Sequence, residues 1–224
     1  DTLWYAVTIP PGERVHVALT YGTAIDLMVV AQEACSALEC LGVADLFPPG
    51  EEAFTISNPD PTPFSVVLGV GPYEPGVGGT YDISFTYEPL PMGEICANAI
   101  PVTASGTFTG TTVGAGNRYD LSATGSCTGD GTPGPDIVYA VTLAAGQTLT
   151  ATLTPDASFD PALYVVTDCS MAEATCQDGS DIPLDGVDET VSYTATSAQT
   201  VYLIVDSWDL SVAGAYTLDV ALSP

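Results

Sequence analysis

Apolar and polar residues alternate along most of this chain with a period of two. Val15, Val17 and Leu19 are interleaved with Arg14, His16, Ala18 and Thr20. Leu149, Ala151 and Leu153 are interleaved with Thr148, Thr150 and Thr152 in the same way. Tyr81, Ile83 and Phe85, and later Tyr216, Leu218 and Val220, give a closing amphipathic run. Successive side chains of a strand point to opposite faces, so each run predicts a strand with one buried face. Threonine, valine and tyrosine fill these runs, and Pro10-Pro11-Gly12 and Ala145-Gly146 break them as turns. Only the stretches between closely spaced cysteines, such as Met171 to Thr175, suit a helical turn. Many short strands between Gly/Pro breaks predict an all-β chain of antiparallel sandwiches.

The pattern occurs twice. LWYAVTIPPGE from Leu3 matches IVYAVTLAAGQ from Ile137, a shift of 134 residues. The register holds at Tyr5 and Tyr139, Gly12 and Gly146, Asp26 and Asp160, and Cys35 and Cys169. It resumes with VVLGV from Val66 against VYLIV from Val201, and GTYDISF from Gly79 against GAYTLDV from Gly214. So many landmarks in one order predict two tandem β-sandwich domains, over 1–88 and 94–224, joined by a Pro-rich linker at 89–93. The second carries an amino-terminal extension, Glu94 to Pro135, with a strand pair expected around Val102 to Val113. The first repeat begins without one and is expected to lack a leading strand. That lack has two readings: a boundary of processing, or an edge open to a strand from a neighbouring chain.

Charge narrows the partners. The chain has 28 acidic residues against Arg14 and Arg118, no lysine, and a formal net charge of −26. Such a surface repels phosphate backbones and anionic lipid, so nucleic acid is a poor partner. No apolar run reaches the roughly 20 residues of a membrane helix, so no membrane insertion is expected. The start resembles no signal segment, which suits a mature chain or an excised piece.

Six cysteines suit an oxidising compartment. Spacing favours the local pairs Cys35–Cys40 and Cys169–Cys176, which leaves Cys96 with Cys127. Zinc is the alternative, but thiolate zinc sites use tighter pairs and helping histidines, and the chain has one histidine.

These landmarks together resemble the bacterial pre-peptidase C-terminal domain family. The likeness lies in the Tyr-x-Val strand, the Gly turn, and Asp160-Pro161-Ala162-Leu163-Tyr164, with the looser Asp26-Leu27-Met28-Val29-Val30 in the first repeat. Val201 to Asp206 and Gly214-x-Tyr216 close the pattern. Cys96-Ala97-Asn98-Ala99-Ile100-Pro101, Cys127-Thr128-Gly129 and Gly134-Pro135-Asp136 resemble the extension of two-cysteine members. The first repeat departs from it where Gly71-Pro72 stand in place of Asp206 and its loop. The resemblance implies a jelly-roll-like sandwich, secretion, and an accessory role beside hydrolases or surface proteins. Related collagen-binding domains bind calcium.

Catalytic candidates are few. His16 is the sole histidine base, on the polar side of its strand, with Thr150 at the matching place. Paired carboxylates suited to glycoside hydrolysis arise by chance among so many acids. The chain is therefore read as no enzyme. Calcium is a better use for carboxylates, since it takes six to eight oxygens. The candidate ligands are Asp178, Asp181, Asp185, Asp188 and Glu189 in one loop, with Asp206 and Asp209 as a second group. The first repeat keeps Asp45, Glu51 and Glu52, so a site is expected to favour the second domain; a solvated acidic loop is the other reading. Trp208 and Tyr73, in matching loops, are candidate stacking rings for a sugar, while Trp4 is expected in the core.

Two functions follow. One is an extracellular, secreted or cell-surface module that attaches to polysaccharide or protein matrix. The other is a structural subunit that binds copies of itself and grows into a filament by strand donation into the first domain.

Overall fold

A computed structural model describes residues 2–22, 25–33, 41–45, 50–74 and 78–224. In the first repeat the alternating runs become β1 (Leu3–Ile9), β2 (Glu13–Tyr21), β3 (Leu27–Gln32), β4 (Gly42–Ala44), β5 (Glu51–Asn58), β6 (Phe64–Pro72) and β7 (Tyr81–Pro89). They form two sheets, ordered β1-β6-β3-β4 and β5-β2-β7. Every strand pair in them is antiparallel. Period two buries Val15, Val17 and Leu19 completely while His16 stays exposed between them. Gly12 at φ +69 makes the β1–β2 turn, a backbone state that glycine adopts without penalty.

The second repeat begins with the extension strands β8 (Ile100–Val102) and β9 (Gly106–Thr111). It continues with β10 (Ile137–Leu143), β11 (Thr148–Pro155), β12 (Pro161–Val166), β13 (Cys176–Ser180), β14 (Glu189–Thr194), β15 (Gln199–Ser207) and β16 (Ala215–Ser223). Its sheets run β13-β12-β15-β10-β8 and β14-β11-β16-β9. Strands β10 to β16 thus repeat the order of β1 to β7. The extension strands do not pair with each other: β8 adds in parallel beside β10, and β9 adds antiparallel beside β16, one to each sheet. In the described residues of the first unit, β1 and β7 end their sheets where β8 and β9 stand in the second.

The rest of the extension covers the outer face of the β10/β12/β15 sheet. Leu121 packs there with Val138, Tyr164, Val166, Ala172 and Ile204. Strand β12 is buried on both faces and reads as the unbroken apolar run Pro161–Val166. Trp4 stands at the place of Val138, and the outcome is opposite. Val138 is fully buried, whereas Trp4 is 44% exposed and lies over Gly69 of β6. The expectation of a core Trp4 fails because nothing like Leu121 covers that face among the described residues.

Cysteine pairing also differs from the expectation by spacing. Cys96 bonds to Cys169 and Cys127 to Cys176, so the pairs Cys96–Cys127 and Cys169–Cys176 do not form. Spacing weighs only the entropy of closing a loop. The tertiary course of the extension decides instead, because it lays both its cysteines beside the helical turns Cys169–Met171 and Ala172–Thr175 that follow β12. The two bonds clamp the extension onto the sheet. Cys35 and Cys40 lie outside the described residues.

The chain divides into compact units Asp1–Leu90 and Pro91–Pro224. The residues expected as linker are bonded within them. Pro89 ends β7, and Leu90 N donates to Gly12 O at 2.9 Å. Asn98 Nδ2 donates to Pro91 O at 2.9 Å, and Gly93 N to Asn98 O at 3.0 Å.

Candidate binding site

The strand registers bring acidic residues of each repeat to one sandwich end. Asp160 immediately precedes β12, Asp181 immediately follows β13, and Glu189 opens β14 opposite Leu153. In the first unit Asp26 precedes β3, Asp45 follows β4, and Glu52 stands in β5 opposite Leu19. Ladder pairs fix the equivalence: Val29 pairs with Ala44 as Leu163 pairs with Ser180. The two sets of three carboxylates therefore occupy the same positions of the fold.

One oxygen from each of Asp26, Asp45 and Glu52 lies within 4.8 Å of the others, a gathering met among the described residues in the first unit. The expectation that a site favours the second domain is not what this spacing shows. Glu52 is fully buried and accepts a hydrogen bond from the Tyr21 hydroxyl at 2.8 Å. In the second unit Glu189 is fully buried, and accepts from Ile182 N at 2.7 Å and from the Ser180 hydroxyl. Asp160 is only 6% exposed, and its Oδ1 has no hydrogen-bond partner; Asp181 Oδ2 and Asp26 Oδ1 share that condition. Burial, then the charges of Asp160, Asp130 and Glu189, pushes Asp181 up to about 7. Burial followed by Asp185 raises Asp160, and burial raises Glu189, with Asp160 and Asp188 adding to it.

The seven carboxylates expected as one or two metal groups are thus distributed. The charges of Asp181, Asp185 and Glu189 interact with that of Asp160, which the sequence pattern did not single out, and Asp188 acts on Glu189. Asp178 is tied across to β14, where its Oδ2 accepts from Ser192 N at 2.7 Å. Asp209 caps a turn by accepting from Ser211 N at 2.9 Å and Ser211 Oγ at 2.6 Å, which lowers its pKa. Asp206 belongs to a separate buried group. It accepts from the Tyr164 hydroxyl at 2.7 Å and Ser207 N at 2.7 Å, and burial followed by the charge of Asp136 raises it well above the carboxylate range. Asp136 is held by Arg118 N at 2.5 Å and Tyr119 N at 3.0 Å, yet burial still pushes it up to about 7.

Beside the acidic end sit the two rings. Leu27 pairs with Pro72 as Pro161 pairs with Ser207, so Tyr73 and Trp208 follow β6 and β15 at equivalent positions. Tyr73 is 62% exposed and Trp208 48%. Tyr73 N donates to Asp26 O at 3.0 Å, which fixes its loop against the first triad. Trp208 lines a cleft of about 470 Å³ with Ala123, Asp130, Pro133, Asp181 and Pro183. Gly134 supports that loop: its N–H donates to Ser207 O at 2.9 Å, and a Cβ there would come within 2.3 Å of Ser207 Cβ. The cleft is lined by an indole ring and the carboxylates of Asp130 and Asp181, chemistry suited to sugar hydroxyls and a stacked pyranose face. His16 stands apart on β2, its Nδ1 3.3 Å from Thr55 Oγ1.

No protein-family model matches this chain, and no curated protein matches it. Among solved structures it is similar to the pre-peptidase C-terminal domain of a collagenase from Bacillus anthracis, at 15% identity, covering 55% of this chain and 93% of that one, with a TM-score of 0.39. It is also similar to PliG, a periplasmic inhibitor of g-type lysozyme from Aeromonas hydrophila, at 18% identity over 56% of this chain and 96% of that one, with a TM-score of 0.35. A third likeness is to the CUB1-EGF-CUB2 region of human MASP-1/3, at 12% identity over 100% of this chain and 93% of that one, with a TM-score of 0.28. The all-β sandwich fold rests on the sheets described above.

Proposed function

We propose that the chain is a non-catalytic, extracellular binding module that attaches to a neutral polysaccharide through Trp208 and, in the equivalent loop, Tyr73. The observation that carries this reading is the half-exposed Trp208 on the wall of a preformed cleft lined by Asp130 and Asp181. An exposed indole gives a flat apolar platform for a pyranose ring, while carboxylates accept its hydroxyls. The net charge of −26 favours neutral over anionic polymers. Two disulfides support an oxidising location outside the cytoplasm. The test is depletion of the chain from solution by insoluble cellulose and chitin, wild type against Trp208→Ala and Tyr73→Ala. Retention by a collagen resin with none by polysaccharide would move the reading to protein matrix.

A second reading, a subunit that assembles into a filament, is favoured by the exposed β1 residues Leu3 and Trp4 and by the sheet edges at β1 and β7. Its occupant is a strand donated by another copy, laid on β1 as β8 lies on β10. Light scattering on the chain settles it: a species near 23 kDa at all concentrations excludes assembly.

A further inference from the structure

The cleft beside Trp208 encloses about 470 Å³, and its walls are chemically uneven. Ala123, Pro133 and Pro183 line it with side chains that neither donate nor accept a hydrogen bond. Apart from the indole, the polar side chains of the lining are Asp130 and Asp181, and a carboxylate only accepts. Three segments build these walls. Ala123, Asp130 and Pro133 belong to the extension, Asp181 and Pro183 follow β13, and Trp208 follows β15. Hydrogen bonds inside the extension hold its side of the cleft. Leu121 N donates to Thr132 Oγ1 at 3.1 Å, Thr132 N to Leu121 O at 3.2 Å, and Asn117 Nδ2 to Pro133 O at 2.9 Å. The Ser126 and Thr128 hydroxyls donate to Asp130 O at 3.1 and 2.7 Å. The cleft is thus preformed, which lowers the ordering cost of binding.

We propose that this cleft recognises the acetamido group of an N-acetylated hexosamine, so that the polymer bound is of the chitin class and not a plain glucan. The inference rests on the reading of the cleft as a polysaccharide site, and names its sugar. A glucan ring carries hydroxyls around its edge. With one ring face on Trp208, those hydroxyls meet Ala123, Pro133 and Pro183, where each gives up water and gains no partner. The acetamido group changes that balance at one edge position. Its N–H only donates, which suits a carboxylate of Asp130 or Asp181 and makes the bond charge-assisted. Its methyl covers the alanine and proline wall, where apolar surface leaves water on both sides. Its carbonyl keeps water at the open side of the cleft. Other sugar classes fit less well. Uronic and sulfated sugars bring like charge to Asp130 and Asp181, and to a chain of net charge −26. A deacetylated hexosamine leaves the apolar wall unfilled. An indole on the wall of a cleft also suits a sugar that inserts, more than the flat face of packed glucan chains.

The test is calorimetric titration of the full chain with soluble tetrasaccharides of equal length: chitotetraose, cellotetraose, and the fully deacetylated form of the first. Chitotetraose is expected to bind at least about tenfold tighter than either of the others, the discrimination that a methyl-sized group commands in an apolar pocket. Trp208→Ala should abolish its binding. Ala123→Asp, at an exposed turn position, sets a charge against the acetyl methyl and should bring the ratio of chitotetraose to cellotetraose affinity towards one. Loss of fold would lower both affinities together, so the ratio separates the two causes. Should Ala123→Asp not fold, Pro183→Ser alters the same wall at another exposed position. Cellotetraose binding as tightly as chitotetraose overturns the acetamido inference and leaves the polysaccharide reading standing. Tighter binding of the deacetylated form also overturns it, and assigns the cleft to charge. Binding of none of the three at millimolar concentration overturns it as well. The polysaccharide reading falls with it only if insoluble chitin and cellulose also leave the wild-type chain in solution, so the two fail separately.

Discussion

Replacing Cys96 and Cys169 by serine removes the bond that holds the start of the extension onto the outer face of the second sandwich. The bonded residues are 73 apart in sequence, and Cys127 and Cys176 are 49 apart. In the chain-entropy account, loops of these lengths each restrict the unfolded chain by about 4 kcal/mol. The loops interleave, so removing both costs less than twice that. Near the midpoint, a loss of about 4 kcal/mol lowers melting of a unit of this size by roughly 10–20 °C. Because Leu121, Ala99 and Tyr119 pack under the clamp, the extension is expected to loosen first. Differential scanning calorimetry of wild type and the double variant measures the shift, and peptide mapping of the unreduced wild type checks the pairing. A shift under about 3 °C would refute the clamp as a source of stability. A mapped peptide joining Cys96 to Cys127 would refute the pairing itself.

Asp136 gives a pH dependence whose sign is fixed. Burial raises its folded pKa to about 7 from an ordinary 3.8, so the folded chain binds that proton more tightly than the unfolded chain. Its contribution is fully present below about pH 4 and is lost as pH rises through 7, on the order of 4 kcal/mol in all. Asp136→Asn keeps an oxygen for the Arg118 and Tyr119 amides, and its urea midpoint should vary less between pH 4.5 and 8 than that of wild type; equal slopes would contradict this. Val138→Ala should cost roughly 1.5–3 kcal/mol by urea unfolding, and Trp4→Ala at the matching place under about 1, since only Val138 is covered. Gly134→Ala should cost about 1–3 kcal/mol and shift Trp208 emission, because the added methyl meets Ser207 Cβ and its carbonyl.

The two sandwiches were legible because strand alternation depends on neighbours two residues apart, and the repeat recorded it twice. The face that each strand buries was also legible where one face is wet, as at Val15, His16 and Val17. What alternation does not encode is whether the outer face is covered. Val138 and Trp4 occupy the same register, and only the distant Leu121 separates their fates. The disulfides misled for a related reason: closeness in sequence is a local cost, while the extension's path across the sheet is a tertiary fact. The acidic site was half legible. A run of acids marked Asp181, Asp185, Asp188 and Glu189, but Asp160 lies some twenty residues upstream of them and is joined by strand register. The usable signal was the repeat itself, since Asp26 and Asp160 match in it. Asp206 looked like a ligand from its neighbours in sequence, and strand direction turned it inward to Tyr164 instead.

The central claim, a polysaccharide-binding module without chemistry of its own, is tested most directly by depletion on insoluble cellulose and chitin. The account predicts that one of these polymers removes the wild-type chain from solution, that Trp208→Ala weakens this at least about tenfold, equivalent to about 1.4 kcal/mol, and that the polymer is recovered uncut. Wild-type chain left wholly in solution by both, or binding that Trp208→Ala and Tyr73→Ala leave unchanged, would contradict it.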